Sequence, residues 1–166
     1  MLDDLRDVFV LGGNGHGQLG LGDLKSRLEL TRLDVLCRQG AVDLACGLSH
    51  TIVVMGNGEA MAFGSNEHGQ LALTGKQQVT SPRPCEVELS AVSTCCGHHH
   101  SFLLVQEEVE GKKKRFAWGF GSNSHGQLGI GRHQGGPTPP ERVKIDESIQ
   151  QVGSGQFHSI FVCDSG

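Results

Sequence analysis
Apolar residues along this chain come in short unbroken runs closed off by glycine and polar residues, and nowhere in the spacing of an amphipathic helix. Three runs stand out: Ile52-Val-Val-Met55, Phe102-Leu-Leu-Val105 and Ile160-Phe-Val-Cys163. All are too short for helices and rich in strand-favouring residues, so they are predicted to be buried strands. Each follows a strand of mixed pattern, at Val42–Cys46, Val92–Cys96 and Ile149–Val152. Gly56-Asn57-Gly58 predicts a tight hairpin into a further strand containing Met61, Ala62 and Phe63. In the second unit that hairpin is lengthened to Gln106–Arg115, with acids before Gly111 and bases after it, so folding back at Gly111 sets opposite charges across from each other. A fourth extended piece is predicted near Leu28–Leu33, Cys85–Leu89 and Arg142–Ile145, the last two entered through Pro82/Pro84 and Pro137/Pro139/Pro140.

The strands recur because the sequence does. Gly12-Gly-Asn-Gly-His-Gly-Gln-Leu-Gly20 returns as Gly64-Ser-Asn-Glu-His-Gly-Gln-Leu-Ala72 and as Gly121-Ser-Asn-Ser-His-Gly-Gln-Leu-Gly129. A second motif lies between the copies: Cys46-Gly-Leu-Ser-His-Thr51, Cys96-Gly-His-His-His-Ser101 and Ser154-Gly-Gln-Phe-His-Ser159. The repeated positions are candidate structural sites: Gly12, Asn14, Gly17, Gln18 and Leu19; Gly64, Asn66, Gly69, Gln70 and Leu71; Gly121, Asn123, Gly126, Gln127 and Leu128; and His50, His100 and His158. The glutamines are expected to bond loop backbone and the leucines to anchor each loop in the core. Ala72 and Thr74 replace glycines found at Gly20/Gly22 and Gly129/Gly131, which predicts a different local geometry for the middle turn.

Four short antiparallel strands in a unit of about fifty residues make one blade of a β-propeller. The predicted fold is all-β, a partial β-propeller of about three four-stranded blades over residues 1–166, with repeat units at approximately 8–59, 60–115 and 116–166. The chain opens on Val8–Leu11, equivalent to Ala60–Phe63, and closes at Asp164-Ser-Gly166, inside a hairpin equivalent to Gly56–Gly58. Strand edges are therefore expected at both ends unless the rest of a longer chain or another chain supplies the missing blades.

Composition narrows the function. Twenty-five glycines and only 5 prolines in 166 residues, with 37% hydrophobic residues, fit many glycine turns between short strands. A net charge of −4 and a pI of about 6.1 lack the basic footprint of phosphate binding, so no direct nucleic-acid partner is expected. Met1–Arg6 carries acids where a secretory signal carries bases, and no apolar run approaches a membrane span. A soluble protein of the cytoplasm or nucleus, with no membrane partner, is the expectation. The six cysteines, Cys37, Cys46, Cys85, Cys95, Cys96 and Cys163, read as reduced thiols and mostly as small core residues.

The pairing of Gly-Ser-Asn-x-x-Gly-Gln-Leu-Gly with Gly-x-x-His-(Ser/Thr) resembles the repeat of the regulator of chromosome condensation family, over nearly the whole chain. The resemblance implies a seven-bladed propeller that binds proteins through its blade-connecting loops. Its best-known activity is guanine-nucleotide exchange on a small Ran-like GTPase, and a protein partner of that class is the leading expectation. It carries over no catalytic residue, so an enzyme in its own right is not expected, nor a cofactor. The alternative is a scaffold or substrate-binding domain of a larger protein such as a ubiquitin ligase or kinase. The position often held by tryptophan is Leu11, Phe63 or Phe120, and Trp118 is the one tryptophan. Ultraviolet sensing, which in the family depends on clustered tryptophans, is therefore not expected.

Three stretches invite chemistry. Gly15-His-Gly-Gln-Leu-Gly20 has the GxGxxG spacing, but its first glycine is matched by Glu67 and Ser124 and no βαβ unit follows, so it reads as a turn. Cys95-Cys-Gly-His-His-His100 holds residues that zinc prefers, or a Cys96–His100 nucleophilic pair; a zinc or thiol enzyme centred there is the distant alternative. Against it, neighbouring strand residues point to opposite faces, and Cys96 and His100 have counterparts in Cys46 and His50. Lys112-Lys-Lys-Arg115 reads as a localisation signal or anion patch, or as an acid-balanced hairpin tip.

Overall fold
The computed structural model describes residues 6–75 and 77–164; the acidic start at Met1–Leu5 and the closing Ser165 and Gly166 lie outside the described residues. Twelve strands appear there and no helix. They are β1 (Phe9–Gly12), β2 (Arg27–Arg32), β3 (Ala41–Cys46), β4 (His50–Met55), β5 (Ala60–Ser65), β6 (Gln78–Pro84), β7 (Ala91–Cys96), β8 (His100–Val109), β9 (Lys112–Asn123), β10 (Gln134–Arg142), β11 (Ile149–Ser154) and β12 (Ser159–Cys163). They build two four-stranded antiparallel sheets, β3-β4-β5-β6 and β7-β8-β9-β10, flanked by the two-stranded β1-β2 and β11-β12.

The apolar runs dictate this layering. All six residues of β4 are buried, as a strand covered on both faces requires, whereas β3 alternates because one face looks away from the core. Sheet and sequence repeat are out of phase: residues 60–115 supply the two outer strands of one blade and the two inner strands of the next. The core accordingly forms between blades, with Ile52, Phe63 and Leu71 of one packed with Leu103 and Phe120 of the next. A second cluster joins Phe102, Leu104 and Leu128 to Ile149, and Phe161 meets Phe102 edge-on at 5.3 Å. Neighbouring inner strands are also tied by Asp43, whose Oδ2 accepts from Ser93 Oγ at 2.6 Å and Thr94 N–H at 2.8 Å.

The structure departs from the sequence reading in three places. The outer strands run through the prolines, at Gln78–Pro84 and Gln134–Arg142, and not after them; β6 and β10 are edge strands, where a missing N–H breaks no ladder. Ala72 takes the left-handed conformation of its glycine counterparts, φ 50° against 70° at Gly20 and 65° at Gly129, and its N–H reaches Gly69 O at 3.1 Å. Its methyl is buried in the core, which offsets the cost of that conformation. The middle turn differs only beyond it, where Gly75 takes the positive φ and Thr74 Oγ1 donates to Glu86 at 2.7 Å. Of the six thiols, only Cys37 and Cys85 are fully buried, and Cys46 is exposed on inner strand β3. The long hairpin folds back as expected, with Glu107 opposite Lys114 and Glu108 opposite Lys113, and none of these pairs closes to a salt bridge.

Candidate functional site
The repeated motif builds the same loop three times. Asn14, Asn66 and Asn123 each accept, through Oδ1, the backbone N–H of Leu19, Leu71 and Leu128, at 3.0, 2.9 and 3.1 Å. Their amides donate onward to the carbonyls of Asp23, Leu73 and Arg132. The N–H groups of Gly17, Gly69 and Gly126 return to the same asparagines' carbonyls, closing the turn. Gln18, Gln70 and Gln127 then accept the N–H of His16, His68 and His125, each at 2.9 Å. Leu19, Leu71 and Leu128 are buried beneath, so each histidine sits on a braced loop.

The second motif stacks blade on blade. A Cβ added to Gly47 would strike the His50 imidazole and lie 2.7 Å from Gly97 O; one on Gly97 would strike His100 and lie 2.6 Å from Gly155 O. The glycine thus makes room for the imidazole three residues on and for the next blade's backbone. His50 Nε2 is 2.8 Å from Ser101 Oγ, and Ser101 donates to Gln70 O at 2.8 Å, so the proton of His50 lies on Nε2. His100 repeats the contact with Ser159 at 3.0 Å. Burial, reinforced by His99 and neighbouring His100, lowers the pKa of His50 to about 3; burial likewise lowers His100 to about 4. Both rings are neutral and hold the fold, while His158 is exposed.

Loop tips and turns meet on one end of the blades. His68 packs on His99 at 4.5 Å, His99 on His98 at 4.5 Å, and His125 on Phe157 at 4.5 Å. Burial lowers the pKa of His99, and the nearby His68 and His98 lower it further. The sequence reading did not assemble this row. Its signal was available: the residue before two of the motif histidines is aromatic, His99 and Phe157, and each faces a loop histidine of fixed place.

The Cys95–His100 segment does not converge. Cys95 Sγ faces Ser154 Oγ of the next blade, Cys96 Sγ faces Ala45 O of the previous one, and His100 turns to Ser159. Among the described residues no group of three or more His, Cys, Asp and Glu could hold a metal ion. Burial pushes the Cys96 thiol up, opposite to what a nucleophile needs, and its hydroxyl partner is Ser101, not His100. The zinc and thiol readings fall on these grounds. Gly15–Gly20 is a loop with no following helix.

Comparison with known proteins follows the same repeat. A family model described as "Regulator of chromosome condensation (RCC1) repeat" matches residues 7–54, 57–104 and 116–162. Among curated relatives, the probable E3 ubiquitin-protein ligase HERC6 of Homo sapiens is 34% identical over 92% of this chain and 15% of its own length. The secretion-regulating guanine nucleotide exchange factor of Bos taurus is 28% identical over 96% of this chain and 34% of its own length. Among solved structures, Prp20p of Saccharomyces cerevisiae, described with its binding to Gsp1p and histones, superposes with a TM-score of 0.80 at 20% identity, covering 96% of this chain and 41% of that one. The chain spans about a third or less of the curated relatives' length.

Proposed function
The chain belongs to the regulator of chromosome condensation repeat family, and from that premise we propose that it is a protein-binding propeller segment whose loop face grips a folded partner, first among candidates a small Ran-like GTPase. The observation that carries this reading is the row His68, His98, His99, His125 and Phe157, set on loops braced by Asn66, Gln70, Asn123 and Gln127. A rigid, partly exposed aromatic row on a preorganised scaffold is what a protein interface uses for anchors. Exchange would come from grip alone, stabilising the nucleotide-free GTPase. Work in the nucleus or cytoplasm goes with this reading.

The test is release of a fluorescent GDP from a Ran-like GTPase, with binding followed in parallel. Binding that falls about tenfold or more in His99→Ala or His125→Ala supports the reading. Absence of binding by the intact chain removes the GTPase. A second reading, a substrate-binding portion of a larger ubiquitin ligase, draws on the 34% identity with HERC6. It predicts binding of a non-GTPase protein to the same face.

A further inference from the structure
The turn that closes a motif loop meets the outer strand of the next blade, and the two such seams differ. At the first, Gly22 N–H donates to Thr80 O of β6 at 2.8 Å, and a Cβ on Gly20 would lie 3.2 Å from Pro82 Cδ, so the turn lies against the strand. At the second, between the two complete blades, Thr74 holds the place of Gly22. Its N–H and hydroxyl both turn back to Glu86 Oε2 of their own blade, at 2.9 and 2.7 Å. Among the described residues no backbone hydrogen bond joins this turn to β10. The outer strands explain the difference. Between the matched rungs Gly64↔Val79 and Ala62↔Arg83, β6 has three residues, Thr80 to Pro82; between Gly121↔Thr138 and Gly119↔Glu141, β10 has two, Pro139 and Pro140. Thr80, whose carbonyl takes the bond at the first seam, belongs to the longer stretch.

The second seam holds a cavity of about 320 Å³, with Leu73 and Thr74 on one side and Pro137, Pro139 and Pro140 on the other. Ligand clefts begin near this size, at about 300 Å³, so there is room for one long side chain. Glu86 is the one charged residue among those that line it. The Thr74 hydroxyl and N–H hold its carboxyl below the ordinary carboxylate range, so it is ionised. Its counterpart Asp34 pairs with Arg32 at 3.2 Å, whereas Glu86 enters no salt bridge among the described residues, and its Oε1 stays open. Thr138, wholly buried where β6 carries the apolar Val79, keeps a hydroxyl without a partner, so the seam has no bond of its own there either.

We propose that this seam docks an arginine side chain of a partner protein, its aliphatic stem on Leu73 and Pro139 and its guanidinium donating to Glu86 Oε1. An apolar slot with one unpaired carboxylate complements a cation on an apolar stem. Arginine suits it better than lysine, because the guanidinium is flat and more weakly hydrated than an ammonium and loses less on leaving water. The site shares no residue with the histidine row and does not depend on what that row binds.

The test is an NMR titration of the isotope-labelled chain with the peptide acetyl-Gly-Arg-Gly-amide. The control is the same peptide with citrulline, which keeps the shape of arginine and lacks its charge. Amide shifts are expected at Leu73, Thr74, Glu86 and Thr138, saturating in the millimolar range. The citrulline peptide, and the arginine peptide on Glu86→Gln, are each expected to bind at least about tenfold more weakly. Glutamine still accepts from Thr74, so that variant keeps the turn. Pro139→Arg, at an exposed position of an edge strand, sets a cation in the cavity and is expected to abolish the shifts. A chain that shows no shifts, or shows them on the histidine row instead, overturns the proposal. So does a citrulline peptide that binds as well, or binding unchanged in either variant.

Discussion

The hydroxyl of Ser101 stands between His50 Nε2 and the carbonyl of Gln70, 2.8 Å from each, and so fastens β8 of one blade to β4 and the motif loop of its neighbour. All three residues are fully buried. Ser101→Ala leaves the His50 N–H and the Gln70 carbonyl without a partner, and is expected to cost about 3 kcal/mol in urea unfolding. Ser159→Ala breaks only the single contact to His100 at a partly exposed position, and its expected cost is about 1 kcal/mol. Equal losses would show that the hydroxyl's second bond contributes nothing.

Gly97 and Gly12 separate steric need from conformational need. A methyl on Gly97 would strike the His100 ring and press on the Gly155 carbonyl, so Gly97→Ala must displace a buried ring or the next blade. Its expected cost is about 3 kcal/mol or more. Gly12→Ala meets no atom within 4 Å and pays only for its positive φ, about 1–2 kcal/mol. Thermal unfolding of the two variants side by side checks the order.

Acid should loosen the fold through the two buried imidazoles. His50 and His100 have folded-state pKa values of about 3 and 4, below the ordinary 6.5, so the unfolded chain binds protons that the folded chain refuses. Stability is therefore fully present above pH 6.5 and falls as pH drops from there towards 3 to 4, by about 2 kcal/mol per histidine near pH 5. The check is urea unfolding from pH 7.5 to 5. A His50→Gln variant, itself less stable, should show a flatter pH dependence.

The fold was legible in the sequence because each blade repeats its chemistry: unbroken apolar runs named the buried strands, and the Asn, Gln and Leu of each loop held constant places. What escaped depended on neighbours. Pro82 and Pro137 argue locally against strands, and only their place at a sheet edge admits them. Ala72 argues against a left-handed turn, and only its buried methyl offsets that cost. The row of His68, His99 and Phe157 belongs to two motifs far apart in sequence, brought together by a half-blade offset that the repeat alone did not reveal.

The long β8–β9 hairpin gives a control for where a partner binds. β8 starts at His100 on the loop face and runs away from it, so the tip at Glu110 and Gly111 lies at the opposite end of the blade from His99 and Phe157. The outer rungs, Glu107↔Lys114 to Val109↔Lys112, form no salt bridge, and such exposed pairs contribute a few tenths of a kcal/mol each. Arg115, whose N–H reaches Ser148 Oγ at 3.1 Å, and Phe116, under the Arg142 guanidinium at 3.7 Å, mark where the arm joins the packed blade. Replacing Glu107–Lys114 with Asn-Gly, a sequence suited to a two-residue hairpin, should change stability by less than about 1 kcal/mol. Partner binding through the loop face should then survive unchanged. Binding lost with stability intact would move the contact to the Lys112–Arg115 end of the molecule.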